Sequence, residues 1–222
     1  PRIHTVLFSP AEIEIEDTWS VSGLCGTGSH HFRADNVLVT ADRTFLTLSD
    51  PPCLDELLVR IPPPPLYALA IASVALGIAQ GALDDILAFA ANKVPLLAHT
   101  PLTANPLFQH QLGAVDAKLR AARALLYADA ASAWATAVAG APFTPAQRAR
   151  MRSAATWVAA TAASVVDAAY GAGGGTSLYS DNPLQRRFRD IHALTQHFLV
   201  KPDTFTTAGA VLAGAEVDLT VF

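Results

Sequence analysis

Cysteine, charge and basic runs are all scarce in this chain, and each scarcity removes a class of protein. Cys25 and Cys53 are the only cysteines among 222 residues. They form neither a metal-spaced pair nor a disulfide framework, so reduced thiols in the cytoplasm are the expectation and a single disulfide is the second reading. Asp, Glu, Lys and Arg make up only 15% of the chain, with a formal charge of -4 and a pI near 5.9. With no Lys/Arg run there is no electrostatic footprint for nucleic acid or an anionic membrane. The opening "PRIHTVLFSP" is too short an apolar stretch for a signal peptide. Pro rather than Met at position 1 is expected of a processed or partial chain. The apolar run at 66–81 is rich in Ala and Gly and reads as a buried bundle helix, not a membrane span.

What is present divides into two halves at the "PPPP" of 62–65, which neither a strand nor a helix interior accommodates because proline lacks the N–H donor. Before it, "RIHTVLF", "EIEIE", "TWSVSG", "HHFRADNVLV" and "TFLTL" are short β-branched and aromatic runs separated by turn residues. They predict about five strands over 1–61. After it the period becomes helical. Leu112, Val115, Leu119, Ala122 and Leu126 step by three and four, as do Met151, Ala155, Val158, Ala162, Val165 and Ala169. Asn105-Pro106, Thr144-Pro145 and Asn182-Pro183 each place a side-chain acceptor at an N-cap and proline at the first helical position. Helices are therefore expected at about 64–93, 106–139, 145–171, 183–196 and 203–213. The fold class is α+β, mostly α: a partial β-barrel segment (1–61) followed by an up-and-down four-helix bundle (62–222).

Several chemistries fail on spacing. "GLCGTGSHHF" at 23–32 has His31 at the third glycine position of a dinucleotide fingerprint and leads into a strand pattern. "GAGGGTS" at 171–177 lacks the lysine of a phosphate loop and reads first as a glycine-ended helix, although such a loop lets backbone approach a planar ligand. His192 and His197 are five residues apart, which on a helix turns them about 140° from each other, so they do not share a metal. Asp84 and Asp85 read as a solvated pair. No G-x-S-x-G elbow supports a serine nucleophile.

The order "DTWSVSGLCGTGSHHFRADNVLV", a proline-rich spacer, and an Ala-rich region ending "AYGAGGGTSLYSDNPLQRRFRDIHALTQHFLVKPDTFTTAGAVLAG" resembles the acyl-CoA dehydrogenase superfamily. The closer likeness is to its two-component, flavin-dependent monooxygenase branch. Setting Arg189-Asp190 on the family's "RD" puts His197 at a tyrosine position and Phe198 where many dehydrogenases carry a glutamate base. Phenylalanine cannot abstract a proton, and the oxygenase branch is similar to this chain in having a histidine there.

That resemblance implies an oxidoreductase using reduced flavin, FAD or FMN, supplied by a separate reductase, together with O₂ and a small aromatic substrate. It implies a homo-oligomer, expected as a tetramer. His197 is the expected proton-handling residue, with Thr195, Gln196 and the backbone of Gly173 and Gly174 near the flavin. Thr27 and Ser29 are either flavin contacts or turn chemistry, and His192 reads as structural. Cys25 stands where the family often has arginine, and Lys93 is only an approximate match to the arginine with which many dehydrogenases contact a neighbouring subunit's cofactor. An acyl-CoA dehydrogenase and a non-catalytic oligomerising paralogue are the alternatives.

Overall fold

The computed structural model describes residues 4–46, 53–218 and 222. Five helices dominate: α1 (Pro63–Ala90), α2 (Pro106–Val138), α3 (Pro145–Gly173), α4 (Pro183–Leu194) and α5 (Thr204–Leu212). Their starts follow from the chemistry read in the sequence. Asn105 accepts hydrogen bonds from the backbone of Leu107 and Phe108, and Asn182 from that of Leu184. Thr144 and Gln147 close a reciprocal capping box at the start of α3. The Asn182 cap forms no such box, because the Gln185 amide donates to the Ser180 carbonyl instead.

α3 is the central helix, packing against α1, α2, α4 and α5. Its predicted stripe from Met151 to Ala169 is buried, and so are Arg152, Thr156, Ala159, Ala163 and Val166 on its other side. The many alanines let α1 approach it closely through Ala68, Ala72, Ala75, Ala79 and Ala82, all fully buried. Side chains such as Ile86, Val158 and Ile191 then contribute about 1.5–3 kcal/mol each by burial. The first turns of α2, at Phe108 and Val115, meet Leu83 and Ile86 of α1 and Ala169 and Ala172 of α3. Its later turns, at Ala133 and Trp134, meet Leu66, Leu69 and Met151. α2 thus runs antiparallel to α1 and α3. α1 is long and apolar enough to cross a membrane, yet here its stripe faces α3.

The β half agrees with the expectation in part. Among the described residues there are four three-residue strands, β1 (His4–Val6), β2 (Glu14–Glu16), β3 (His31–Arg33) and β4 (Thr44–Leu46). β1 pairs antiparallel with β4, and β2 with β3, as two separate ladders and not a closed barrel. "TWSVSG" forms no strand: the Trp19 amide bonds the His30 ring and its indole bonds the Leu24 carbonyl, which takes the backbone out of any ladder. Parts of the first and last expected strands, at 2–3 and 47–48, lie outside the described residues. Ile15, Phe32 and Leu38 face solvent at 67%, 59% and 88% exposure, so the alternating pattern has no second layer to cover its apolar side. Thr144→Ala should lower the unfolding free energy by about 1 kcal/mol in urea denaturation. An unshifted midpoint would refute the capping role.

Candidate functional site

The two sequence motifs that carried the family likeness touch each other. The Leu24 amide donates to the Asp190 carboxylate at 2.7 Å, joining the 23–29 loop to the middle of α4. The approach is so close that a Cβ on Gly23 would lie 2.1 Å from the Arg189 carbonyl oxygen. Leu24 itself adopts a left-handed conformation (φ 53°), and its carbonyl accepts from the Thr27 amide, the Thr27 hydroxyl and the Trp19 indole. The Thr27 proton is therefore spent inside the turn, whereas Ser29 is exposed. Asp190 and Gly23 were not singled out as site residues by sequence reasoning; the signal was the adjacency of Asp190 to Arg189 in the family pattern.

α4 stops at Leu194, two residues before the expected end, and His197 caps the 3-10 turn Phe198–Val200. Burial of Leu199 and Val200 anchors that turn. The Leu199 amide donates to His197 Nδ1 at 3.2 Å, so in the neutral ring the proton resides on Nε2. Partial burial, and secondarily the charge of Arg152, push the imidazole below its ordinary pKa and favour this neutral form. The ring stacks on Phe198 with centroids 5.0 Å apart. Thr195 donates its hydroxyl to the His192 carbonyl at 2.9 Å, and Gln196 is exposed.

Arg152 was also missed by sequence reasoning. It is 4% exposed, lies 5.2 Å from the Phe222 ring centroid, and its Nε and Nη1 have no hydrogen-bond partner among the described residues. Burial lowers its pKa, with Asp203 opposing. The available signal was a cation within a helix whose two sides are both apolar.

Gly173 and Gly174 are placed elsewhere. Gly173 abuts Leu184 at the start of α4, and a Cβ there would fall 2.0 Å from Ser177 Oγ. Its lack of a side chain thus serves internal packing. Gly174 has φ 56° and ψ -146°, a conformation natural only to glycine. Leu184 and Leu194 are ten residues apart, about 15 Å of helix, so the glycine loop and His197 stand at opposite ends of α4. The residues expected near the flavin therefore fall into two sets along α4.

Other polar links pin α4. Asp85 was expected to be solvated, but Arg187 reaches it at 3.0 Å across Gly81, where a Cβ would come within 2.6 Å of the guanidinium. Asp84 accepts from Gln80. His192 pairs with Asp167 at 2.8 Å beside the Phe188 ring. Cys25 and Cys53 are free thiols. An apolar groove of about 570 Å³ between α1 and α2, walled by Tyr127, Trp134 and aliphatic side chains, holds none of the expected site residues.

The fourth helix of the bundle thus carries a docked glycine turn and leads to a histidine just beyond its end. Residues 69–202 match the family described as acyl-CoA dehydrogenase, C-terminal domain. The chain belongs to the acyl-CoA dehydrogenase family. It is 33% identical over 216 residues to indole-3-acetate monooxygenase of Pseudomonas putida, covering 97% of this chain and 55% of that protein. Two further relatives bear the names of an oxygenase subunit and an oxygenase component of flavin-dependent or FADH₂-dependent systems. The crystal structure of a 3-HSA hydroxylase from Rhodococcus sp. superposes with a TM-score of 0.91 at 24% identity, covering 100% of this chain and 59% of that one. That of XiaF from Streptomyces sp. in complex with FADH2 and glycerol gives 0.88 at 22%, covering 96% and 56%. These two likenesses show the fold. The chain spans about half the length of the curated relatives it matches.

Gly23→Ala should destabilise the protein by about 1–3 kcal/mol through the clash with the Arg189 carbonyl, and this is read by denaturant unfolding. In nitrogen-detected NMR, His197 should show the Nε2–H tautomer with a midpoint below the ordinary value of 6.5. An Nδ1–H signal would contradict the capping bond.

Proposed function

We propose that this chain is the flavin-facing C-terminal part of a monooxygenase that uses reduced flavin and O₂ to hydroxylate an aromatic or similar small molecule. The observation that carries the reading is the Asp190–Leu24 bond, which ties the 23–29 turn to the helix that presents His197. The residues suit the cofactor: the Ser29 hydroxyl follows the docked turn, the Gln196 amide and the His197 Nε2–H follow α4, and all three side chains are exposed. When bound, reduced flavin would supply the electrons that activate O₂, one atom of which goes to the substrate and the other to water. His197 then presents its Nε2–H as a hydrogen-bond donor to a substrate or cofactor oxygen, its lowered pKa keeps the ring in that neutral form near neutral pH, and taking up a proton requires Nδ1 to release the Leu199 amide. Thr27 takes part as an acceptor only. Phe198 leaves a dehydrogenase without a carboxylate base at this position, which favours the oxygenase reading.

Gly173 and Gly174 stand one helix length from His197, which suits the phosphate-bearing end of FAD more than the ring end of either flavin. Residues 1–61 are read as the later part of a middle β domain, whose exposed Ile15 and Phe32 are covered by other parts of the full protein, and 62–222 as its C-terminal bundle. A separate flavin reductase supplies the reduced cofactor, in keeping with relatives named as oxygenase components. The free thiols and the reductase fit a cytoplasmic enzyme.

A homotetramer is supported by α2, which is apolar on two opposite faces. Val115, Leu119, Ala122 and Leu126 are buried, while Ala117, Ala121, Ala124, Ala128, Ala131 and Ala135 repeat by four and three along an exposed seam. Ala128→Arg should lower the mass found by analytical ultracentrifugation, and an unchanged mass would remove the seam from the interface.

His197→Ala in the full-length protein, assayed with a flavin reductase and indole-3-acetate or a panel of phenols, should lose about 10²–10⁴-fold in product formation while still binding reduced flavin. Unchanged turnover would end the proposed role of His197.

A further inference from the structure

Lys93 lies just beyond α1, where a surface lysine is usually free to wave in solvent. Here its ammonium is half-buried and turned inward. Nζ donates to the Gly173 carbonyl at the carboxyl end of α3 and to Thr176 Oγ1 at 3.2 Å. It sits over the Phe89 ring, 4.8 Å from the centroid. The lysine backbone is fixed as well: its amide donates to the Phe89 carbonyl and its carbonyl accepts from the Leu102 amide at 2.7 Å. A cation at the end of a helix also complements the partial negative charge of the terminal carbonyls.

The segment that Lys93 grips is a 3-10 turn, Gly174–Leu178, closed by the Tyr179 amide on the Thr176 carbonyl, with the Gly174 amide bonded to the Gly171 carbonyl. Ser177, fully buried, bonds the Tyr170 carbonyl from the inner side at 2.8 Å. Gly174 holds a backbone conformation open only to glycine, and a Cβ there would have the Lys93 ammonium at 3.7 Å as its nearest neighbour. A Cβ on Gly175 would meet nothing within 4 Å. Gly174 and Gly175 leave the outer flank of this turn without side chains, so the bonds on either side add to the turn's own in setting its shape.

We propose that Lys93 is a positioning residue: by holding the Gly173 carbonyl and the Thr176 hydroxyl from the outer side, it fixes the Gly174–Gly175 backbone in the shape that receives the cofactor. The inference rests on the reading above that this loop meets flavin. It also differs from the role the family likeness suggested for this position, since the ammonium is engaged within its own chain. Burial lowers the Lys93 pKa, as expected of an amine partly withdrawn from water.

The test uses Lys93→Met, which keeps the stem on Phe89 but loses the donors, with Lys93→Arg as the rescue and Thr176→Val as a milder variant. Hydrogen exchange of the amides of residues 174–177 and the affinity for reduced FAD are measured on each purified protein. Lys93→Met should speed exchange there by about tenfold or more and weaken FAD binding by about tenfold, and Lys93→Arg should restore both. Thr176→Val, which keeps the lysine and removes one acceptor, should fall between wild type and Lys93→Met. Unchanged exchange in Lys93→Met would overturn the inference while leaving the flavin assignment intact. Faster exchange with unchanged FAD affinity would show that the loop lies outside the flavin site, overturning the positioning role together with that part of the functional reading.

Discussion

The site depends on one contact, the hydrogen bond from the Leu24 amide to the Asp190 carboxylate. Among the described residues it is the one hydrogen bond by which the 23–29 turn reaches α4, and it requires glycine at position 23 because the two backbones meet at van der Waals contact. A charge-assisted bond of this kind contributes about 1.5–3 kcal/mol, enough to hold a turn whose own ladders are only three residues long. What is proposed for Ser29 and His197 starts from that junction, since it docks the 23–29 turn onto the middle of the helix that leads to His197.

α4 can play this part because it is pinned from three sides. Asp190 holds the turn, Arg187 reaches Asp85 on α1, and His192 reaches Asp167 on α3. The last two pairs are partly exposed and contribute little each, about 0–1 kcal/mol, but together they set the rotation of the helix about its axis. Burial of Leu184, Ile191 and Leu194 supplies the main energy of docking. Arg152 is the costly element. A guanidinium with two nitrogens unpartnered among the described residues is retained at the expense of stability, and its charge is one of the two influences holding His197 neutral.

The helices were legible in the sequence because their signals are local: the Asn-Pro and Thr-Pro starts and the three-four spacing of Leu119, Ala122 and Leu126 need no distant partner. α4 was read two residues too long because nothing in "ALTQHF" announces that the His197 ring would take the Leu199 amide and begin a new turn. The strands were misjudged for the opposite reason. Alternation in "TWSVSG" describes an extended backbone, but pairing needs a partner in register, and Trp19 spends its donors on Leu24 and His30. The site was half legible. Family likeness pointed to the right segments, yet neither spacing nor composition could reveal that Gly173 and His197 sit at opposite ends of one helix, or that Asp190 bonds a loop 166 residues earlier in the chain.

The central claim is that this fold holds a reduced flavin where His197 can manage a proton. The most direct measurement is anaerobic titration of the full-length protein with reduced FAD, followed by admission of oxygen in the presence of indole-3-acetate. The account predicts saturable binding and hydroxylated product formed in proportion to the flavin oxidised. Failure to bind reduced FAD or FMN by a folded protein would contradict it.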